Sequence, residues 1–431
     1  MKRLLQAVVT LALLLIARGV QAQDPVLVAE SLERFGFLDW DAVGARALGM
    51  GGAYRAAGRD VLALRYNPAG LARVRHRTVH VGFGTRSTRR EITYFGSPSE
   101  KTTSSTFLES AAFAYPVPTY RGSLVLGAGV FRTHSSDVEF LLNGTDTVSP
   151  VTTRDWFQHD GSGGLWSWEA GFGIDLSPRI AFGLALAVLD EDLEAFSTFE
   201  SDTLSSGVTG FIDDQLALDV DGYDVRMGLQ IRARDGLVFS LSGHRILGFS
   251  WEGSAFTQAG SIDATGTTVE AEDTYLIRDD IEFPFVFSGG VALQVSDFTL
   301  AGDLRYNLWS EVSVDPPRGG PSVPLDGALD DTWDLMLGAE YAFRAAPVHL
   351  RAGFAHVPHP YKFLKADVSA TAEEVSHHTD RKFVTGGVGV VLDRVVILDA
   401  AVVWGGHERS VPGIEEDLGS LTVRLSGGYR F

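Results

Sequence analysis

The chain has 431 residues, no cysteine, 36 Lys and Arg against 55 Asp and Glu, and a formal net charge of −19. That acidic balance argues against general nucleic-acid binding, which needs a basic surface, and the missing cysteines exclude disulfides and thiolate metal sites. Beyond the first twenty-two residues no run of eighteen apolar residues occurs, so helical membrane spans are not expected.

Residues 1–22 read as a secretory signal peptide. Lys2 and Arg3 form the positive start, Leu4 to Ile16 the apolar middle, and Val20-Gln21-Ala22 a small-x-small cleavage site. Cleavage after Ala22 removes three basic residues and no acidic ones, leaving 33 basic against 55 acidic, a balance of −22. No Cys follows the cleavage site, so a lipoprotein is not expected.

Residues 23–76 differ in pattern from the remainder of the chain. They contain Gly44-Ala-Arg-Ala-Leu-Gly-Met-Gly-Gly-Ala-Tyr54 and Leu64-Arg-Tyr-Asn-Pro-Ala-Gly-Leu-Ala72. Small residues allow close backbone approach, and Asn67-Pro68 favours a turn into a short helix. Gly49, Gly51 and Gly52 do not complete a dinucleotide-binding fingerprint, and no βαβ context accompanies them. A compact Gly- and Ala-rich piece ahead of a wide barrel suits the lumen, with Gly49, Gly51, Gly52, Asn67, Pro68 and Gly70 as its hatch residues.

From residue 77 onward the pattern is strand alternation. Segments fall at 77–95, 106–116, 121–132, 165–176, 179–189, 221–233, 236–247, 283–295, 297–309, 332–343, 347–357, 382–392, 395–404 and 421–431. In one of them Phe298, Leu300, Leu304, Tyr306 and Leu308 alternate with Thr299, Asp303, Arg305 and Asn307, giving one apolar and one polar face. Most segments are long enough for a tilted strand to cross a bilayer, and their number is even, as single-chain bacterial barrels require. The spacing therefore predicts an all-β fold, an antiparallel transmembrane β-barrel of about fourteen strands over 77–431.

The connections alternate short and long. Short turns such as Ser177-Pro178, Arg234-Asp235 and Ser296 fit the periplasmic side. Long connections at 96–105, 133–164, 190–220, 248–282, 310–331, 358–381 and 405–420 fit the extracellular side. Trp166, Trp168, Trp309, Trp333, Tyr341, Trp404, Tyr429 and Phe431 lie near strand ends, where interfacial girdles form. The terminal Phe431 resembles the signal by which the barrel-insertion machinery recognises outer-membrane barrels.

Transport of an apolar molecule needs a catchment, an inner site and an exit. The connection 190–220 carries Phe196, Phe199 and Phe211 among nine acidic residues, and an amphipathic flap of this kind offers an apolar groove. Its acids are also candidates for divalent cations bridging lipopolysaccharide. Arg226, Arg305, Arg351 and Arg424 occupy polar-face positions and suit a ligand carboxylate; ion pairs with lumenal acids such as Asp224, Asp303 and Glu340 are the competing use. Gly127 and Gly129 mark a strand where pairing can relax for lateral exit, or where space is cleared for the hatch. His356, His359, His377, His378 and Asp380 lack a third metal ligand in register, and Gly-x-Ser-x-Gly is absent. Neither a metal, a cofactor nor an enzymatic activity is expected.

The Gly-x-x-Ala-Leu-Gly-x-Gly-Gly-Ala pattern and Tyr66-Asn-Pro-Ala-Gly-Leu71 resemble the FadL-type outer-membrane transporters of hydrophobic compounds. So do Phe283-Pro-Phe, Asp303-Leu-Arg-Tyr-Asn-Leu-Trp309-Ser and Leu350-Arg-Ala-Gly-Phe354. The resemblance implies a fourteen-stranded barrel in the bacterial outer membrane, holding its N-terminal hatch. It also implies passive uptake of fatty acids or similar molecules, with lateral exit into lipid, and nothing in it requires more than a monomer. Leu48-Gly-Met-Gly-Gly52 also resembles PorV-type barrels, which implies an alternative role as a scaffold or shuttle for secreted proteins.

Overall fold

In a computed structural model, which describes residues 40, 42–146, 152–204, 207–264, 266–315, 322–361, 377–411 and 414–431, the alternating segments close into a ring. Fourteen strands make its wall. They are β1 (Thr78–Tyr94), β2 (Ser97–Val117), β3 (Leu124–Arg132), β6 (Trp166–Asp175), β7 (Ile180–Thr203), β8 (Val208–Arg234) and β9 (Leu237–Asp263). The others are β11 (Val286–Val295), β12 (Phe298–Asn307), β15 (Thr332–Ala342), β16 (Val348–Val357), β18 (Arg381–Leu392), β19 (Val396–Val411) and β20 (Ile414–Arg430). Each pairs antiparallel with the next, and β1 pairs with both β2 and β20. Closure leaves no open edge for lipid to meet. The remaining strands lie in the connections: β4 (Val138–Asp146), β5 (Thr153–Ser162), β10 (Gly266–Glu282), β13 (Ser313–Asp315), β14 (Val323–Pro324) and β17 (His377–His378). The proposed signal peptide lies outside the described residues.

Burial is inverted relative to a water-soluble protein. On β12, Leu300 and Leu304 are about half exposed while Asp303 and Arg305 are buried, because the apolar face meets hydrocarbon and the polar face meets the filled interior. Aromatic rings line the lipid face at both ends. Tyr306 stacks on Trp333 near the outer rim, and Phe298 packs on Tyr341 near the opposite one. Trp309 departs from the girdle expectation: it is half-buried in a 3-10 turn, η2 (Trp309–Glu311), and its indole N–H donates to Thr332 Oγ1 at 3.1 Å.

Four connections expected as loops are instead strand. β1 and β2 continue to a two-residue turn at Phe95-Gly96, β7 through β10 run on as long hairpins, and β19 and β20 reach Val411 and Ile414. The alternation that marks a wall strand does not carry on there for a physical reason: above the lipid the outer face meets water, and on β7 to β10 the inner face packs on apolar side chains instead. On β7 the outward residues change from Leu186 and Val188 to Asp190, Asp192 and Glu194, while Leu189 and Leu193 turn inward. The ladder continues across this change of phase. Hydrophobic periodicity reads the solvent, whereas hydrogen bonds read only the backbone.

Residues 42–76 lie inside the ring. They form α1 (Ala45–Gly49), α2 (Ala63–Tyr66) and a 3-10 helix, η1 (Pro68–Arg73), in which Asn67 Oδ1 accepts the Ala69 N–H at 3.1 Å and Pro68 opens the turn. Inner-face groups hold the segment from several sides. Asp303 on β12 accepts the N–H of Tyr54 and of Arg55, both at 2.8 Å, and Thr385 on β18 accepts that of Gly51 at 3.0 Å. Gln230 on β8 donates to Arg55 O at 2.9 Å, Glu340 on β15 pairs with Arg46 at 3.2 Å, and Glu169 on β6 with Arg65 at 3.0 Å. Gly51 needs its left-handed φ of 63° to make this approach, and the wall yields room through glycine: a Cβ on Gly353 would stand 2.1 Å from Gly51 N.

Above this segment a second apolar cluster forms from the inward faces of the extended hairpins. Leu189, Leu193, Leu218, Val220, Phe249, Trp251 and Ile281 meet Val312, Val314, Leu325 and Leu329 from the connection after β12. A bulge sets this up. Gly248, with φ 56°, is the extra residue opposite Gly222, so Phe249 and Trp251 point inward.

A candidate ligand cleft between the apolar cluster and the lumen

Where the second cluster meets the ring lies a cleft of about 880 Å³, its open mouth included. One part of its lining is apolar: Leu165, Leu189, Ile246, Phe249, Phe283, Leu308 and Trp309. The other is polar: Arg65, Asp224, Arg226, His244, Arg305 and Asn307. A smaller space of about 430 Å³ shares Arg65, Arg226, His244 and Arg305 and reaches Arg55, Tyr66 and Pro68 of the interior segment. The polar end of the cleft is therefore the end nearest that segment. Such a site suits a largely apolar molecule with one polar group, since a few placed polar groups orient a ligand that hydrophobic walls bind.

The cations here are held by acids. Arg226 donates to Glu169 at 2.8 Å and pairs with Asp224; Arg65 shares Glu169. Arg305 pairs with Asp334 at 2.5 Å, and Asn307 donates to the same carboxylate at 3.0 Å. His244 Nδ1 lies 3.4 Å from Asp224. Buried charges of this kind require such partners, and the network fixes the direction of each guanidinium.

Of the arginines picked from the sequence, Arg226 and Arg305 line the cleft together. Arg351 does not: it is locked between Glu340 at 2.7 Å and Asp399 at 2.6 Å, against Gly49. Arg424 pairs with Glu109 at 2.7 Å and lies 4.7 Å from the Phe107 ring centroid, on another part of the wall. Phe196, Phe199 and Phe211 do not line the cleft; Phe196 points outward from β7, Phe199 is half-buried and Phe211 packs within the distal hairpin. Gly127 faces Leu71, where a Cβ would come within 3.2 Å, and Gly129 sits among Ala111, Ala112 and Phe131. Both lie within unbroken ladders to β2 and β6. Gly49, Gly51, Gly52, Asn67, Pro68 and Gly70 are all buried in the interior segment. His356 lies 2.8 Å from Asp380 at the extracellular end.

Sequence spacing does not mark Arg65, His244, Phe249, Phe283 or Trp309 as ligand-site residues. The sequence carries no signal for Phe249, because Leu237, Phe239, Leu241, Leu247, Phe249 and Trp251 keep one period of two. Only the bulge at Gly248 turns the last two from the outer face to the inner one.

A closed lipid-facing barrel with an occupied lumen and an amphipathic cleft above it defines a class: the filled outer-membrane barrel. No family model and no curated protein matches the chain, but solved structures do. The Pseudomonas putida toluene transporter TodX is similar at 17% identity and TM-score 0.64, over 91% of this chain and 99% of that one. A Pseudomonas aeruginosa FadL homologue matches at 13% identity and TM-score 0.58, over 90% and 98%. The Ralstonia pickettii toluene transporter TbuX matches at 16% identity and TM-score 0.55, over 91% and 99%. The chain thus has the fold of these FadL-type channels along nearly its whole length.

Proposed function

We propose that the chain is a passive channel of the bacterial outer membrane for hydrophobic small molecules. The observation that carries this reading is the cleft, apolar toward the extracellular cluster and polar toward the interior segment. Solved channels with the same fold are described as toluene transporters, which supports an apolar cargo. Long-chain fatty acids fit equally well, since Arg226, Arg305 and His244 stand where a carboxylate would end. The interior segment is the gate, because it fills the path below the cleft and must shift for a molecule to descend. Exit is sideways into lipid along β3, where Gly127 and Gly129 carry no side chain to bolster the wall.

The test is uptake by proteoliposomes of a labelled long-chain fatty acid and of toluene, comparing the full chain, a variant lacking residues 43–72 and Phe249→Asp. Uptake by the full chain above empty liposomes, reduced by Phe249→Asp, supports the proposal. Equal uptake by the full chain and by empty liposomes would refute it, and a secreted protein that co-purifies stoichiometrically would favour the scaffold role instead.

A further inference from the structure

At the end of the barrel opposite the cleft, a chain of net charge −19 gathers four arginines into one space. Arg59, Arg73 and Arg75 come from the interior segment and Arg232 from β8, beside the short turn at Asp235 and Gly236. The space measures about 790 Å³ with its mouth included, and Gln230 and Gln294 line it as well. Few acids answer this charge. Arg73 reaches Asp175 only at 3.6 Å, and Arg59 donates to the neutral Gln294 at 3.3 and 3.4 Å. Among the described residues no carboxylate lies within 4.0 Å of Arg75 or Arg232, although Asp235 also borders the space. The Arg73 side chain is only 9% exposed, and its Nη2 is buried without a hydrogen-bond partner. Arg232, Arg75 and Arg59 each act on Arg73 as like charges.

Converging guanidiniums cost free energy unless something neutralises them, and their planar donors match oxyanions better than any other ligand. We infer that this periplasmic space is an oxyanion-binding site for a phosphate group, bridging the interior segment to the β8 wall. Three of its cations move with the segment and one belongs to the barrel, so an occupied site fastens the two together. An empty one leaves them repelling. The phosphate source is either free anion in the periplasm or a phospholipid headgroup of the inner leaflet, and the chemistry is the same for both. The site lies apart from the cleft, so it stands whether or not the barrel carries apolar cargo.

The experiment uses the full chain in a phosphate-free neutral detergent. Inorganic phosphate and dodecyl phosphate are titrated separately, reading phosphorus NMR line broadening and hydrogen exchange of residues 55–75. Saturable binding that slows exchange, weakened about tenfold or more in Arg232→Gln and kept in Arg344→Gln, supports the site; Arg344 is an exposed arginine paired with Asp297 on a turn at the same end. If both probes behave so, free anion suffices. If only dodecyl phosphate does, the headgroup is the ligand. Arg75→Gln guards against a folding defect in β8, since Arg75 lies before the first strand and is exposed. Absence of saturation with both probes, or equal binding by wild type, Arg232→Gln and Arg75→Gln, would overturn the inference.

Discussion

Asp303→Ala tests how firmly the interior segment is docked. One buried carboxylate oxygen of Asp303 accepts two backbone N–H groups, those of Tyr54 and Arg55, at 2.8 Å each, and lies 3.6 Å from the Arg55 guanidinium. A buried donor that loses its acceptor costs about 1–3 kcal/mol. Two such donors give about 2–6 kcal/mol, and water entering the vacated space makes the lower part, about 2–4 kcal/mol, the realistic range. At about 1.4 kcal/mol per decade this raises the open population of the segment by roughly 30- to 1,000-fold. Hydrogen exchange at Tyr54 and Arg55 should accelerate by that factor, trypsin should cut at Arg55 and Arg59, and single-channel records should show more frequent opening. The barrel itself should keep its heat-modifiable gel mobility, because its own ladder is untouched. Asn at 303 retains one acceptor oxygen and should fall between. Unchanged exchange and conductance in Asp303→Ala would show that these two bonds do not hold the segment.

Further outcomes are expected. Gly353→Ala places a Cβ 2.1 Å from Gly51 N and 2.3 Å from Met50 C, backbone that cannot step aside, so the segment should loosen by about 1–3 kcal/mol in the same exchange assay. Gly386→Ala, with nothing nearer than 4.0 Å, should leave it unchanged. Glu191 lies on β7 above the rim with Ser136 Oγ donating to it at 2.5 Å, and burial pushes its carboxyl up to about 7. A folded pKa above the unfolded value near 4.5 means stability is full below pH 4.5 and is lost as pH rises through 7. Melting temperatures should fall across that window by at most roughly 3 kcal/mol equivalent, and Glu191→Gln should flatten the profile. In single-tryptophan variants, brominated lipid should quench Trp333 and Trp404, which face outward, and spare Trp251, which is buried. Quenching of Trp251 would contradict the inward turn at Gly248.

The sequence by itself determined the wall. A period of two with one apolar face is imposed wherever a strand has lipid on one side and a polar interior on the other, so all fourteen segments announce themselves, and Asp303 and Arg305 already show which face turns inward. The Asn67-Pro68 turn and the glycines of the leading segment were legible for the same local reason. Tertiary structure decided the rest. Above the rim the outer solvent becomes water, the code inverts, and strands such as β7 and β10 look like loops although their hydrogen bonds run on. The sequence shows Arg226 and Arg305 on polar faces, but only closure of the ring brings them beside Arg65, His244 and Phe249, which come from the interior segment and from other parts of the wall. Spacing along a strand fixes which way a side chain points; which neighbours it meets depends on ring closure and on the segment folded inside it.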